Sequence, residues 1–184
     1  MKQNLVPFGE YVPLRGLLES FISRLDRIPR DFVSGDVPGD LKLGPVTVAD
    51  VICFDVAYDD AVRGAVAGGG ELITVQTNNA TYGHTGQVEQ QWAISRLRAI
   101  EHARSVVVAS TSGISGVIAP DGTVQQRAPE FERATIVAPV VTRTSETLAT
   151  RLGAWPGWAL TLVGFGALGV SIAVEVRRRG RVGA

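Results

Sequence analysis

Residues 50–56 read Asp50-Val51-Ile52-Cys53-Phe54-Asp55-Val56 and hold the only cysteine of the 184-residue chain. An apolar, β-branched run, preceded by Gly44-Pro45 and closed by acidic residues, predicts a buried strand that ends in a turn. Cys53 falls where that strand stops. A thiol at such a junction is held by the strand and left accessible by the turn, which suits a nucleophile. A lone cysteine in an apolar run is more often an inert buried side chain than a catalyst, so its surroundings decide the reading.

Downstream, residues 58–70 are small and Gly-rich, with Asp59, Asp60 and Arg63 opening a short helix. Residues 71–76 predict a second buried strand, which runs into the polar stretch 77–86, TNNATYGHTG. That stretch is too long for a hairpin turn, and loops at the ends of core strands tend to carry function. Residues 88–103 predict a helix with Val88, Trp92, Ala93, Leu97 and Ile100 on its buried face and Arg96, Arg98, Glu101 and Arg104 on a solvated one. A third core strand follows at 105–109. A hairpin comes next, turning at Pro120-Asp121-Gly122, and a last apolar strand is expected at 134–141.

Upstream, residues 1–12 form a shaped loop, punctuated by Pro7 and Gly9. Leu14, Leu17, Leu18, Phe21, Ile22 and Leu25 recur at helical spacing, and Pro29 ends that amphipathic helix. Residues 30–45 read as turns with a short edge strand. The alternation predicts an α/β domain with helices layered on a sheet.

Eighteen basic and eighteen acidic residues cancel, so no global field draws the chain to nucleic acid. One cysteine excludes an internal disulfide. His84 and His102 have no thiol or acidic ligands at suitable spacing, so neither a metal nor a cofactor is expected. Residues 155–174, WPGWALTLVGFGALGVSIAV, carry no charge and are followed by Arg177, Arg178, Arg179 and Arg181. About twenty apolar residues are what a helix needs to cross the hydrocarbon layer. A transmembrane helix is therefore predicted over 155–176, with Trp155 and Trp158 at one interface and a basic cytoplasmic tail at 177–184. The preceding domain would then lie outside the cytoplasm. No export signal is visible before it, so an N-terminal portion is expected to be missing from this chain.

Four stretches together carry a resemblance: Lys2 to Pro13, KQNLVPFGEYVP; residues 51–56, VICFDV; residues 77–83, TNNATYG; and residues 98–104, RAIEHAR. In this order and spacing they resemble the nitrilase-type, carbon-nitrogen hydrolase domain of bacterial apolipoprotein N-acyltransferases, and Asn78-Asn79-Ala80-Thr81 is similar to the actinobacterial branch. The resemblance implies the C-terminal part of an αββα sandwich over residues 1–150, followed by one transmembrane helix. It implies a Glu, Lys and Cys triad that takes an acyl chain from a phospholipid as a thioester. That chain then passes to the N-terminal diacylglyceryl-cysteine of a lipoprotein.

On that pattern Cys53 is the nucleophile, Lys2 the stabiliser of thiolate and oxyanion, and Glu10 a supporting carboxylate. Phe54, Asp55, Asn78, Thr81, Tyr82 and His84 would line the substrate site. The family's general base lies upstream of the lysine motif, before the first residue of this chain. The implied partners are a phospholipid acyl donor, a diacylated apolipoprotein acceptor and the cell membrane. Two other readings stand beside it: a membrane-anchored amidase or nitrilase of the same superfamily, and a non-catalytic remnant or partner subunit.

Overall fold

The computed structural model describes residues 2–18, 28 and 30–182. The chain divides into two compact units, 1–150 and 151–184.

The first unit is built on a six-stranded sheet whose spatial order follows the sequence: β1 Asp40–Leu43, β2 Val46–Ile52, β3 Leu72–Thr77, β4 Val106–Ser110, β5 Gly116–Ile118 and β6 Val124–Arg127. The central strands β2, β3 and β4 are parallel, and β1, β5 and β6 join antiparallel. Parallel neighbours require crossovers. The first is made by α2 Asp59–Ala67 and the second by α3 Gln87–His102.

Register places the core on one face. Ala49 pairs with Ile73 and Val51 with Val75, and these in turn meet Val106 and Val108. All six are buried against Val62, Ala65 and Val66 of α2 and Val88, Trp92 and Ala99 of α3. Alternation sends Asp50, Thr74 and Gln76 to the opposite face, where the Asp50 carboxylate accepts from Thr74 Oγ1 at 2.5 Å and Gln76 Nε2 at 2.9 Å. One sheet with its helix layer is an αβ half of the four-layer sandwich that the resemblance implies.

Three expectations change. The stretch 134–141 forms no regular secondary structure and joins no strand; it is anchored by Val141 N–H donating to Ser105 Oγ at 3.1 Å. Apolar residues there read as a strand, but Val137 and Val141 are exposed, at 85% and 49%. In α3 the buried line is Val88, Trp92, Ser95, Ala99 and His102, so Leu97 and Ile100, one row over, are more than half exposed. Arg98 and Arg104, expected in solvent, are 7% and 1% exposed. Arg104 Nε donates to Gly70 O at 2.9 Å and Nη1 to Ser145 O at 2.8 Å, so it ties the start of β3 to the chain leading into α4 Leu148–Leu152. The expected amphipathic helix is seen as α1 Arg15–Leu18, and Phe21, Ile22 and Leu25 lie outside the described residues.

The second unit is α5 Trp155–Val182. Its segment Trp155–Glu175, 21 residues, contains a stretch of 18 residues with a mean hydropathy of 1.8, long and apolar enough to cross a membrane. At 1.5 Å per residue that segment spans roughly 30 Å, the thickness of the hydrocarbon layer.

Candidate active site

β2 ends at Ile52, and Cys53 takes a left-handed backbone with φ of 54°. Such a conformation costs a residue with a Cβ about 1–2 kcal/mol. It breaks the pleat at Cys53 and opens a 3-10 turn, Cys53–Ala57, with Cys53 itself partly buried. Strain at one residue, held by the structure on both sides, is a mark of a functional position.

The loop at residues 2–12 is folded back on itself. Gly9 and Glu10 N–H donate to Val6 O at 3.1 and 2.8 Å, and Phe8 N–H to Tyr11 O at 2.8 Å. This brings Lys2 Nζ onto Glu10 Oε1, while Glu10 Oε2 accepts Val6 N–H at 2.9 Å. The lysine side chain is only 12% accessible, so its charge is fixed in place by a carboxylate that is itself anchored.

Asp55 joins this loop to the cysteine turn. Its Oδ2 accepts the Gln3 amide at 3.1 Å and its Oδ1 the Asn4 amide at 2.7 Å. At 2% exposure, with both oxygens engaged, Asp55 holds the Lys2 loop against the turn; it does not reach open space as a substrate contact would.

The loop after β3 carries a short 3-10 turn, Ala80–Tyr82. Asn78 is exposed, its Oδ1 accepting the Ala80 amide at 3.1 Å and Thr111 Oγ1 at 2.9 Å. Asn79 is buried and donates to Gln91 Oε1 at 2.5 Å while accepting from Ser110 Oγ at 3.0 Å. Tyr82 and Phe54 line a cleft of about 280 Å³ with Val6, Val56, Gln91 and Ile94. Burial, then the charges of Cys53 and Glu10, push the Tyr82 hydroxyl above its ordinary value, which places all three in one environment. Phe54 meets Tyr58 edge-on at 5.4 Å. Thr81 is exposed beside them. His84 stands apart, its ring 4.5 Å from that of Phe131 in a separate depression with Glu89 and Arg127.

Behind the turn, Asp59, Glu101 and His102 bring their ligand atoms within 4.8 Å of one another. Arg98 already fills the charge need of that group, pairing through Nη1 with both carboxylates. A divalent ion would have to displace a cation that is itself tied to backbone carbonyls, so the donor set does not suit a metal. His102 is fully buried, with Nδ1 2.9 Å from Thr150 Oγ1, and burial together with the charge of Arg98 lowers its pKa to about 4. Sequence periodicity missed Arg98, Asn79 and Gln91. Only the residue pattern 98–104 marked Arg98 at all.

The carbon-nitrogen hydrolase family profile matches residues 1–149. The chain belongs to the carbon-nitrogen hydrolase family. This family of enzymes accounts for the Lys2 loop, the Cys53 turn and both crossover helices, all of which lie within the matched residues. The chain is 38% identical over 171 residues to an apolipoprotein N-acyltransferase of Mycolicibacterium smegmatis, covering 93% of this chain and 28% of the relative. It is 34% identical to one from Azotobacter vinelandii, covering 91% and 33%. It thus spans about a third of the length of these relatives. Among solved structures, it is similar to a Glu-to-Gln variant of the amidase from Nesterenkonia sp. AN1 that shows covalent addition of the acetamide moiety of fluoroacetamide at the active site cysteine. That likeness has a TM-score of 0.50 and 25% identity, over 64% of this carbon-nitrogen hydrolase chain and 45% of the amidase.

Proposed function

We propose that this chain supplies the nucleophile and a membrane span of an apolipoprotein N-acyltransferase. The observation that carries the reading is the reach of the likeness. The family profile stops at residue 149, whereas the M. smegmatis relative matches 93% of the chain and so continues into α5. Similarity to the acyltransferases therefore includes the apolar helix as well as the hydrolase-type domain.

In this mechanism the Cys53 thiolate attacks the ester carbonyl of a phospholipid. A C–S bond forms as the carbonyl electrons move onto oxygen, and the Lys2 ammonium, fixed by Glu10, stabilises that oxyanion. Collapse breaks the C–O bond and releases a lysophospholipid alkoxide, which takes up a proton. The α-amine of a diacylglyceryl-cysteine then attacks the thioester, the amide forms, the amine proton is lost and the thiolate leaves. The base that moves these protons lies, on the family pattern, upstream of Lys2. Phe54 and Tyr82 border the apolar cleft that would receive the acyl chain, with the exposed Asn78 and Thr81 on the loop that leads to Tyr82, and with His84 in its separate depression. By the positive-inside rule, the arginines at the C-terminal end of α5 favour a cytoplasmic C-terminus, which would leave Cys53 on the outer side.

The test is to hold the full chain in phospholipid vesicles and weigh it intact. A hydroxylamine-labile acyl adduct on Cys53, absent in Cys53→Ser, is the expected result; no adduct in the presence of the longer polypeptide context would sink the reading. An amidase is the second reading, favoured by the solved structure with its covalent cysteine adduct. Lipid-independent release of ammonia from a short amide would select it.

A further inference from the structure

Arg98 lies four residues before the end of α3, yet its guanidinium belongs to the cysteine turn. Nε donates to Val56 O at 2.9 Å and Nη2 to Ala57 O at 3.1 Å. These are the last two carbonyls of the 3-10 turn that begins at Cys53. A short turn leaves its final carbonyls without partners of its own, and here a planar fork satisfies two in succession. Nη1 is neutralised by Glu101 and by Asp59 at 3.3 Å, which makes the cation tolerable at 7% exposure.

The upstream flank of Cys53 is fixed differently. Ile52 is paired to Gln76 in the parallel sheet, so the chain enters residue 53 in strand geometry. If that geometry continued, residue 53 would share the face of Ala49 and Val51, which is packed beneath α2 and α3. The left-handed φ of 54° breaks that alternation at residue 53, which is only partly buried, and nothing in a cysteine side chain favours such a φ. The break must therefore be held from the downstream end.

We propose that Arg98 is a positioning residue for Cys53: by gripping Val56 O and Ala57 O it keeps the turn closed and the thiol turned out of the pleat. The proposal rests on Cys53 being the reactive thiol of the acyltransferase reading, but its test does not require acyl transfer. Without the grip, residue 53 relaxes toward extended backbone and the thiol withdraws under the helices.

The experiment measures the alkylation rate of Cys53 by iodoacetamide in the full chain, read by intact mass. The thiolate displaces iodide as the C–S bond forms, and because Cys53 is the only cysteine every adduct reports it. Arg98→Met is expected to slow the reaction at least fivefold. Arg98→Lys keeps the buried charge against Asp59 and Glu101 but has one nitrogen for two carbonyls, so it falls between. Arg96→Met is the control: it removes a bond from the same helix to Gly122 O, 3.0 Å away, and should leave the rate unchanged.

The deficit must persist at pH 9.5, above the roughly 8.5 of an ordinary cysteine thiol. A deficit that vanishes there is a charge effect on the thiol and overturns the proposal, as does a wild-type or faster rate in a folded Arg98→Lys. Failure of the vesicle acylation test with the Arg98 effect intact would remove the acyltransferase reading and leave the positioning role standing.

Discussion

Asp55 Oδ1 accepts the backbone amide of Asn4 at 2.7 Å across 51 residues of sequence, and this bond, with its partner to Gln3, joins the lysine loop to the cysteine turn. Removing the carboxylate strands two inward-facing amides. Asp55→Ala should therefore destabilise the first unit by about 2–4 kcal/mol, the range for losing hydrogen bonds to a buried charge. It should also expose Lys2 to trypsin. A variant within about 0.5 kcal/mol of wild type would show that the loop is held by other means.

The backbone of Cys53 makes a prediction that runs against the usual order of residues. Glycine ordinarily destabilises a folded chain relative to alanine, but at a φ of 54° the Cβ is the liability. Cys53→Gly should be more stable than Cys53→Ala by about 1 kcal/mol. Thermal melts of the two variants under one set of conditions decide it, and equal stability would mean that the turn relaxes when sulfur is removed.

What the sequence disclosed follows from what hydropathy can encode. The strands at 46–52, 72–77 and 106–110 are β-branched runs buried on one face or both, and they were legible together with the placing of Cys53 at a strand end. The same logic misassigned Arg98 and Arg104, because periodicity sorts side chains by polarity and cannot see a backbone carbonyl waiting behind a turn. It misread 134–141 for the complementary reason: apolar residues there, Val137 and Val141 among them, are exposed and join no strand. Only the resemblance placed Asp55 among the substrate contacts. Its actual partners are backbone amides, which carry no sequence signature. The likeness to a known family supplied the pairing of Lys2 with Glu10, which spacing alone would not have singled out.

Gly113 is the point at which the loop after β3 is locked. A Cβ built there would stand 2.4 Å from Asn79 Oδ1 and 2.9 Å from Ser110 Oγ, and its own N–H donates to that Ser110 Oγ at 2.7 Å. Gly113→Ala should cost about 1–3 kcal/mol and loosen residues 77–86, since Asn79 must move to admit the methyl group. Limited proteolysis within that loop should accelerate in the variant. An unchanged cleavage rate would mean that Asn79 is not what holds the loop.

His102 sets the acid side of the stability curve. It is enclosed with Nε2 lacking a hydrogen-bond partner, and burial first, then Arg98, Arg104 and Arg63, lower its pKa from 6.5 to about 4 against the opposing pull of Asp59. A histidine with a depressed pKa binds its proton more readily when unfolded. Its neutral state therefore contributes stability that is fully present above about pH 6.5 and is lost as pH falls toward 4. The contribution is of the order of 2–3 kcal/mol across that window. The melting temperature of wild type should rise from pH 4.5 to 6.5 and then level. His102→Asn, which cannot titrate, should remove much of that slope whatever its absolute stability. A variant with the wild-type slope would assign the acid sensitivity to groups other than the imidazole.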